Sequence, residues 1–322
     1  MAIKHVLVSG KADGGDATLV QPSNWNENHT IDSEVTFPAV TSPATPSASN
    51  FNLFGKTLGN TRIMPAVMGP SGMDYALQPA LFRQKISLWS PGGNATTVPG
   101  VFGFAAMTVV GTATARNVAI TNLKTRMRRL SYVSAATAGS GCSIRSASMF
   151  TSGTGTGLGG FYASFRFSAT DAAAVSGARM FVGVDSATPT NVEMSTRVNN
   201  FGIAQLSTDA TQLYLVYGGS AAQTAVALTT AFPIYNGTVG ITTGVPYDFM
   251  IWCPPNSNGV FSWQLDRLDT GTSTGGTVTP GTPGTQTPAN TTLLSPTVYR
   301  VNNATAAAVG MDVSTIYLET DF

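Results

Sequence analysis

From about Tyr132 to the C-terminus, apolar and polar positions alternate with a period of two. Phe161-Tyr-Ala-Ser-Phe-Arg-Phe167 and Phe261-Ser-Trp-Gln-Leu265 carry apolar side chains, most of them large, at every second position. That is the period of a strand with one face buried. Strand-like segments recur near 132–137, 142–150, 160–168, 178–185, 201–206, 211–217, 224–229, 246–253, 259–268, 291–301 and 309–320. Turn clusters of Gly, Asn, Pro and Ser separate them. Many short strands at this spacing predict an all-β fold whose C-terminal domain, residues 132–322, is an antiparallel β-sandwich. Trp252 and Trp263 lie within strand segments and are expected in the core. The ending Ser314-Thr-Ile-Tyr-Leu-Glu-Thr-Asp-Phe322 predicts a last strand paired within a sheet. Helical spacing is scarce: a short helix over Leu77–Ile86, starting no earlier than Pro79, and one turn over 171–175. The Thr/Gly/Pro-rich stretch 270–292 reads in a monomer as a flexible loop, or in an assembly as a segment lying along a neighbouring subunit.

Before Tyr132 the pattern is less regular. Ile3 to Ser9 alternates as a short strand, Asp13-Gly14-Gly15-Asp16 makes a turn, and Thr18–Val20 is a second strand ended by Pro22-Ser23-Asn24-Trp25. The glycines accept positive φ there and the Asp side chains can bond nearby backbone N–H groups. Residues 1–32 thus form a hairpin-like head too small for its own core, which docks on something else. Residues 33–50 contain Pro38, Pro43 and Pro46 among small hydroxyl residues, which predicts a semi-rigid extended linker. Residues 51–131 read as a small β-rich collar with connecting strands, opening on a hairpin around Gly59-Asn60. Within it, Val101–Val110 is too hydrophobic a run to stand exposed on both sides.

Charge narrows the function classes. Only 10% of residues are charged, against about 25% in typical domains. The 17 basic and 16 acidic residues leave a net charge of +1, and no basic stripe recurs, so nucleic-acid binding is not expected. The one basic cluster is Arg126, Arg128 and Arg129 with Arg116 and Lys124 upstream; it reads as a solvated face or an intersubunit ion-pair site. No apolar run is long enough to span a membrane, and the first residues do not form a signal peptide. The expectation is synthesis in the cytoplasm without membrane insertion. Cys142 and Cys253 are the only cysteines. A disulfide scaffold is excluded by so few; both read as buried small hydrophobes, and whether they pair is left open.

Catalytic and metal patterns are not found. The two histidines, His5 and His29, lie in the head, far in sequence from either Cys, so no triad or zinc spacing exists. Asp13–Asp16 lacks the register of a calcium loop. The carboxylates of the sandwich are scattered singly beside turns, unlike the facing pair of a glycosidase. Expected catalytic residues, cofactors and metals are therefore none.

One further signal lies in the order of several blocks. "SGKADGGDATLVQPSNWNENHTI" (9–31) resembles the N-terminal signature of tail-fibre and related fibre proteins of tailed bacteriophages. The resemblance continues at "PAVMGPSGMDYALQPALF" (65–82), "NATTVPGVFGFAAMTVVGTATARNVAITN" (94–122), "TRMRRLSYVSAATAGS" (125–140), "GARMFVGVDSATPTNVE" (177–193), "LYLVYGGSAAQTAVAL" (213–228) and "YLETDF" (317–322). It implies a non-enzymatic virion component on the tail or head surface, a homotrimer whose sandwich is of jelly-roll or concanavalin-like type. Asp13, Asp16, Pro22, Trp25 and His29 would serve attachment to other virion tail or head proteins. Loops bearing Tyr235, Asn236, Asn256 and Asn258 would contact a host surface glycan or protein. The alternatives are a head fibre, decoration or collar protein with a purely structural role and, less favoured, a glycan depolymerase.

Overall fold

A computed structural model of the chain describes residues 2–3, 15, 29–30, 36–40, 43–69, 74–76, 85–104, 106–171, 174–235, 244–255 and 257–320. Their regular structure is almost wholly β and, in every paired strand, antiparallel. The chain divides into two units, Met1–Lys56 with Pro65–Leu77, and Thr57–Met64 with Gln78–Phe322. In the first unit, β1 (Ala2–Ile3) pairs with β2 (His29–Thr30). Further on, β3 (Asn52–Leu58), β4 (Arg62–Met68) and β5 (Asp74–Ala76) form a three-stranded sheet over a small cluster of Phe54, Ala66 and Met68. The Pro-rich stretch lies along this sheet: the Val40 N–H donates to Gly55 O at 2.9 Å, and the Asn52 amide donates to Ala44 O at 2.8 Å. An extended Pro-rich backbone keeps enough free N–H and C=O groups to bond a sheet edge.

The second unit is the expected sandwich. Its strands are β6 (Lys85–Ser90), β7 (Gly100–Phe102), β8 (Thr108–Val110), β9 (Thr112–Arg116), β10 (Arg129–Val133), β11 (Gly141–Arg145), β12 (Phe161–Ala169) and β13 (Arg179–Asp185). There follow β14 (Asn200–Leu206), β15 (Asp209–Gly218), β16 (Val226–Ala227), β17 (Tyr247–Cys253), β18 (Phe261–Arg267), β19 (Thr272–Val278), β20 (Ser295–Val301) and β21 (Gly310–Thr320). One sheet runs β19-β18-β17-β12-β21-β10-β9, with β6 and β7 added beside β21; the other runs β16-β15-β14-β13-β20-β11-β8. The long β21 organises the first. β12 follows it along one side, while β10 takes its first half and β6 its second half on the other. Strands from the segment expected as a collar, β6 to β9, thus pair into the two sandwich sheets.

The period-two pattern fills the space between the sheets. Phe161, Phe165 and Phe167 of β12, Phe261, Trp263 and Leu265 of β18, Ile203 of β14 and Val182 of β13 join one core cluster. Phe201 and Phe261 stack across the sandwich with ring centroids 4.7 Å apart, a geometry that adds to area burial. A register shift opposite Arg166 and Phe167 leaves Ser314 as an extra residue in β21, a bulge that lets Met311 and Val313 before it and Ile316 and Leu318 after it all face the core.

Three expectations about the fold's elements and charges change here. Residues 272–278 of the low-complexity stretch form the edge strand β19, paired with β18 within the same chain; Thr is a good strand former and the open edge tolerates the glycines. Lys85 and Ile86 begin β6 rather than ending a helix, and the rest of that predicted helix lies outside the described residues. Arg116, Lys124 and Arg129 converge on Asp312 at 3.4, 3.3 and 3.2 Å instead of facing solvent or a neighbour. The α1 helix (Leu123–Arg126), capped by Asn122, carries Lys124 inward. Arg126 and Arg128 stay exposed.

One end of the core is polar. Arg300 of β20 and Asp171, just after β12, form an ion pair with both side chains 0% exposed. Asp171 also accepts from the Gly310 N–H at 2.6 Å, and Arg300 donates to Gln205 at 2.7 Å. Removing one partner of such a pair strands a buried charge, at a cost of about 3–5 kcal/mol. Arg300→Met is therefore expected to lower the free energy of unfolding by that amount in urea titration. Adding Asp171→Asn, which removes the stranded charge and still accepts from Gly310, should recover part of the loss. Strictly additive losses would contradict this assignment.

Candidate functional site

A cleft of about 220 Å³ opens at one end of the sandwich, where three loops meet. The loop before β12 supplies Ser152 and Gly153, the β17–β18 turn supplies Asn258 and Gly259, and the loop after β19 supplies Pro283, Gly284, Pro288, Ala289 and Asn290. Gly153 is required by close approach: a Cβ there would lie 1.9 Å from Pro254 O. The Gly259 N–H donates to Gly153 O at 3.1 Å, which joins the first two loops. The third is tied to both, because Ser152 Oγ donates to Pro288 O at 3.0 Å and Thr287 Oγ1 donates to Gly259 O at 2.9 Å. Gln286 Oε1 accepts from the Gly281 and Thr282 N–H groups at 2.6 and 3.2 Å, and the Gly219 and Ser220 N–H groups donate to Thr285 O and Gly284 O at 3.0 and 2.8 Å. These bonds hold a Thr/Pro/Gly loop that composition alone marks as flexible.

The walls are neutral and polar, without a charged or aromatic side chain. Asn258 and Asn290 are exposed, and each amide offers two donors and one acceptor. Asn258 sits at φ 50°, a conformation that Asn tolerates better than most residues. At about 220 Å³ the cleft is smaller than the ~300–1,000 Å³ of drug-sized pockets. It suits one ring or a chain end of a neutral, hydroxyl-rich ligand.

The sequence-predicted residues fall in different places. Asn258 lines the cleft. Asn256 and Asn236 lie outside the described residues, as do Asp13, Asp16, Pro22 and Trp25; His29 is placed by its backbone in β2. Tyr235 is not a free surface ring: its hydroxyl donates to Asp171 and accepts from Arg300 at 2.7 Å, inside the buried ion-pair network. Trp263 is in the core as expected. Trp252, by contrast, lies on the outer face, with the Arg62 guanidinium 5.0 Å from its ring and 4.6 Å from that of Tyr162. Arg62 is fixed by Glu319, which also accepts from Tyr317 Oη at 2.8 Å. Pairing at opposite sides of the strand period explains the difference, since Ile251 and Cys253 take the inward positions. Ser152 and the 283–290 loop were missed by sequence reasoning; their only signal was the density of Gly and Pro.

Carboxylates of the sandwich are committed elsewhere. Asp185 pairs with Arg197, Glu193 with Arg179, Asp248 with Arg166 and Asp269 with Arg267. Asp209 accepts from Thr211, Gln212 and Tyr214. Among the described residues, no group of three or more His, Cys, Asp or Glu could hold a metal ion, and no helix is long and apolar enough to cross a membrane.

The sandwich and its loop cleft define the class: an antiparallel β-sandwich protein with a neutral polar cleft. No family model matches the chain, and no curated protein matches it. Among solved structures, lectin I from Ulex europaeus in complex with the methyl glycoside of α-L-fucose is 12% identical, covering 74% of this chain and 98% of that one, with a TM-score of 0.45. A protein of unknown function from Shewanella oneidensis MR-1 is 13% identical over 74% of this chain and 86% of its own, at 0.41. The CBM2 module of the evolved Dit of Lactobacillus casei BL23 phage J-1 is 14% identical over 73% and 96%, at 0.39. At such TM-scores these likenesses carry no functional argument.

The thiols give a test of the fold around the cleft. Cys142 and Cys253 are both free and buried; Cys253 Sγ accepts from the Gly153 N–H at 3.2 Å beneath the cleft. Burial pushes the Cys142 thiol up to about 12 and the Cys253 thiol up to about 11. Burial likewise raises the phenols of Tyr132, Tyr162, Tyr235, Tyr247 and Tyr317. An acid whose folded pKa is raised keeps its proton while the unfolded chain loses it, so stability falls as pH climbs past the unfolded value. Lys124, lowered chiefly by burial, acts in the opposite sense, but among the described residues it is outnumbered by these acids. The denaturation midpoint is therefore expected to fall steadily from pH 9 to about pH 11–12. At pH 8 a thiol reagent should label neither cysteine in native protein and both in urea; rapid native labelling would contradict the packing.

Proposed function

We propose that this chain is a bacteriophage virion fibre protein, a homotrimer attached to the particle through its N-terminal segment and contacting the host surface through the cleft of its sandwich. Two features support this reading. The ordered sequence blocks resemble tail-fibre and related fibre proteins across most of the chain. The cleft presents the exposed amides of Asn258 and Asn290 on a hydrogen-bonded loop frame without a charged lining, which suits hydroxyl groups of a neutral glycan. Loops held by a sheet scaffold are where binding residues commonly lie. The proposed role is non-enzymatic; the described carboxylates Asp185, Glu193, Asp248 and Asp269 each pair with an arginine.

A second reading, a head fibre or decoration protein, draws on a different observation. Among the described residues, buried charges are paired within the chain, as in Arg300–Asp171 and Arg62–Glu319, which serves durability without requiring a receptor. Adsorption separates the two. Purified chain should bind host cells and compete with phage adsorption. Asn258→Gly, which keeps the backbone conformation, combined with Asn290→Ala should weaken that binding about tenfold or more, about 1.4 kcal/mol per tenfold. Absence of binding and of competition by the unaltered chain would overturn the receptor role and favour the structural one.

A further inference from the structure

One lateral side of the sandwich is built from three successive edge strands. Among the described residues β7 pairs only with β6, β8 only with β11 and β9 only with β10. Gly111, at φ 84°, lets the chain pass from the edge of one sheet to the edge of the other between β8 and β9; a Cβ there would lie 2.6 Å from Val133 O. Both sheets therefore end on the same side. Neighbouring residues in a strand point to opposite faces, yet Val109 and Val110 are both exposed, as are Val101 and Phe102, the last at 63%. Val118 and Ile120, the latter 87% exposed, continue the apolar series beyond β9. The sequence contradicts such exposure, because a run this hydrophobic is expected to be covered.

Charge identifies what covers it. From Ile86 to Ala115 there is no Asp, Glu, Lys, Arg or His. Soluble proteins blunt open sheet edges with charges, especially Lys; β7 and β8 have none, and β9 has only Arg116 at its end, turned to Asp312. A nucleic acid or an anionic membrane would call for cations along these strands, whereas the exposed Arg126 and Arg128 lie only beyond β9, where Arg126 donates to Ile120 O; across β7 and β8 a second identical edge can approach with no charge to desolvate. The six exposed side chains amount to on the order of 500 Å² of apolar surface, at the upper end of the largest patches on monomers. A standard interface needs about 800 Å² per partner, and the small side chains and unpaired backbone of the edges can supply the rest. We infer that this side, Gly100–Arg116 with Val118 and Ile120, is the surface through which copies of this chain join. The inference rests on the proposed self-assembly and adds its location.

Light scattering on the full chain tests it. The unaltered chain should be oligomeric, and Val101→Lys with Val110→Lys should reduce the mass to that of one chain while leaving the circular dichroism and the thermal midpoint of the monomer intact. Asn258→Gly should leave the mass unchanged. A photo-crosslinking residue at Val110 should join two copies covalently, whether or not the lysine variant folds. An oligomer that keeps its mass with both lysines, or that gives no crosslink from position 110, would overturn this surface while leaving self-assembly standing. A monomeric unaltered chain would overturn both.

Discussion

The ion pair between Arg300 and Asp171 is the constraint around which the sandwich is arranged. Arg300 comes from the middle of the seven-stranded sheet and Asp171 from the end of β12 in the other. Two opposite charges removed wholly from water are tolerable only where further hydrogen bonds complete their shells. Here the completing groups come from Tyr235, Gln205 and the Gly310 N–H, that is, from the segment before β17, from β14 and from the start of β21. The pair thus fixes how the two sheets register at that end. A second polar cluster, around Asp312, does similar work on the outer face, joining β9, α1, β10 and β21.

With these clusters set, the rest of the sandwich follows from hydrophobic burial. Aromatic side chains from both sheets meet in one core, and the loops at the cleft end can afford glycines and prolines because side-chain-to-backbone bonds pin them. Ser152, Thr287 and Gln286 each satisfy backbone groups of a loop other than a regular strand. That division matters for function. The frame is cross-bonded, while the amides of Asn258 and Asn290 are exposed at its rim.

Much of the sheet structure was legible in the sequence, and the reason is local. Phe161–Phe167 and Phe261–Leu265 write their own period, because each side chain's fate depends on the face it occupies. β19 was hidden for the opposite reason: Thr272–Val278 carries two glycines and no large side chain inside a low-complexity stretch, and only pairing with β18 makes it a strand. The site was less legible still. Tyr235 reads as a loop aromatic, but its partners Asp171 and Arg300 lie 64 and 65 residues away, and no local pattern announces their meeting. The cleft likewise unites Ser152, Asn258 and Pro288 from three separate loops. Only the Asn-bearing turn among them stood out by residue type.

The central claim is that this is a virion fibre whose sandwich faces the host. Cryo-electron microscopy of intact particles, decorated with antibody fragments against the loop around Asn258 and Asn290, tests it most directly. The account predicts antibody density at the distal end of a fibre on the tail, away from the attachment of the N-terminal segment. Antibody density confined to the capsid surface, or none on the particle, would contradict it.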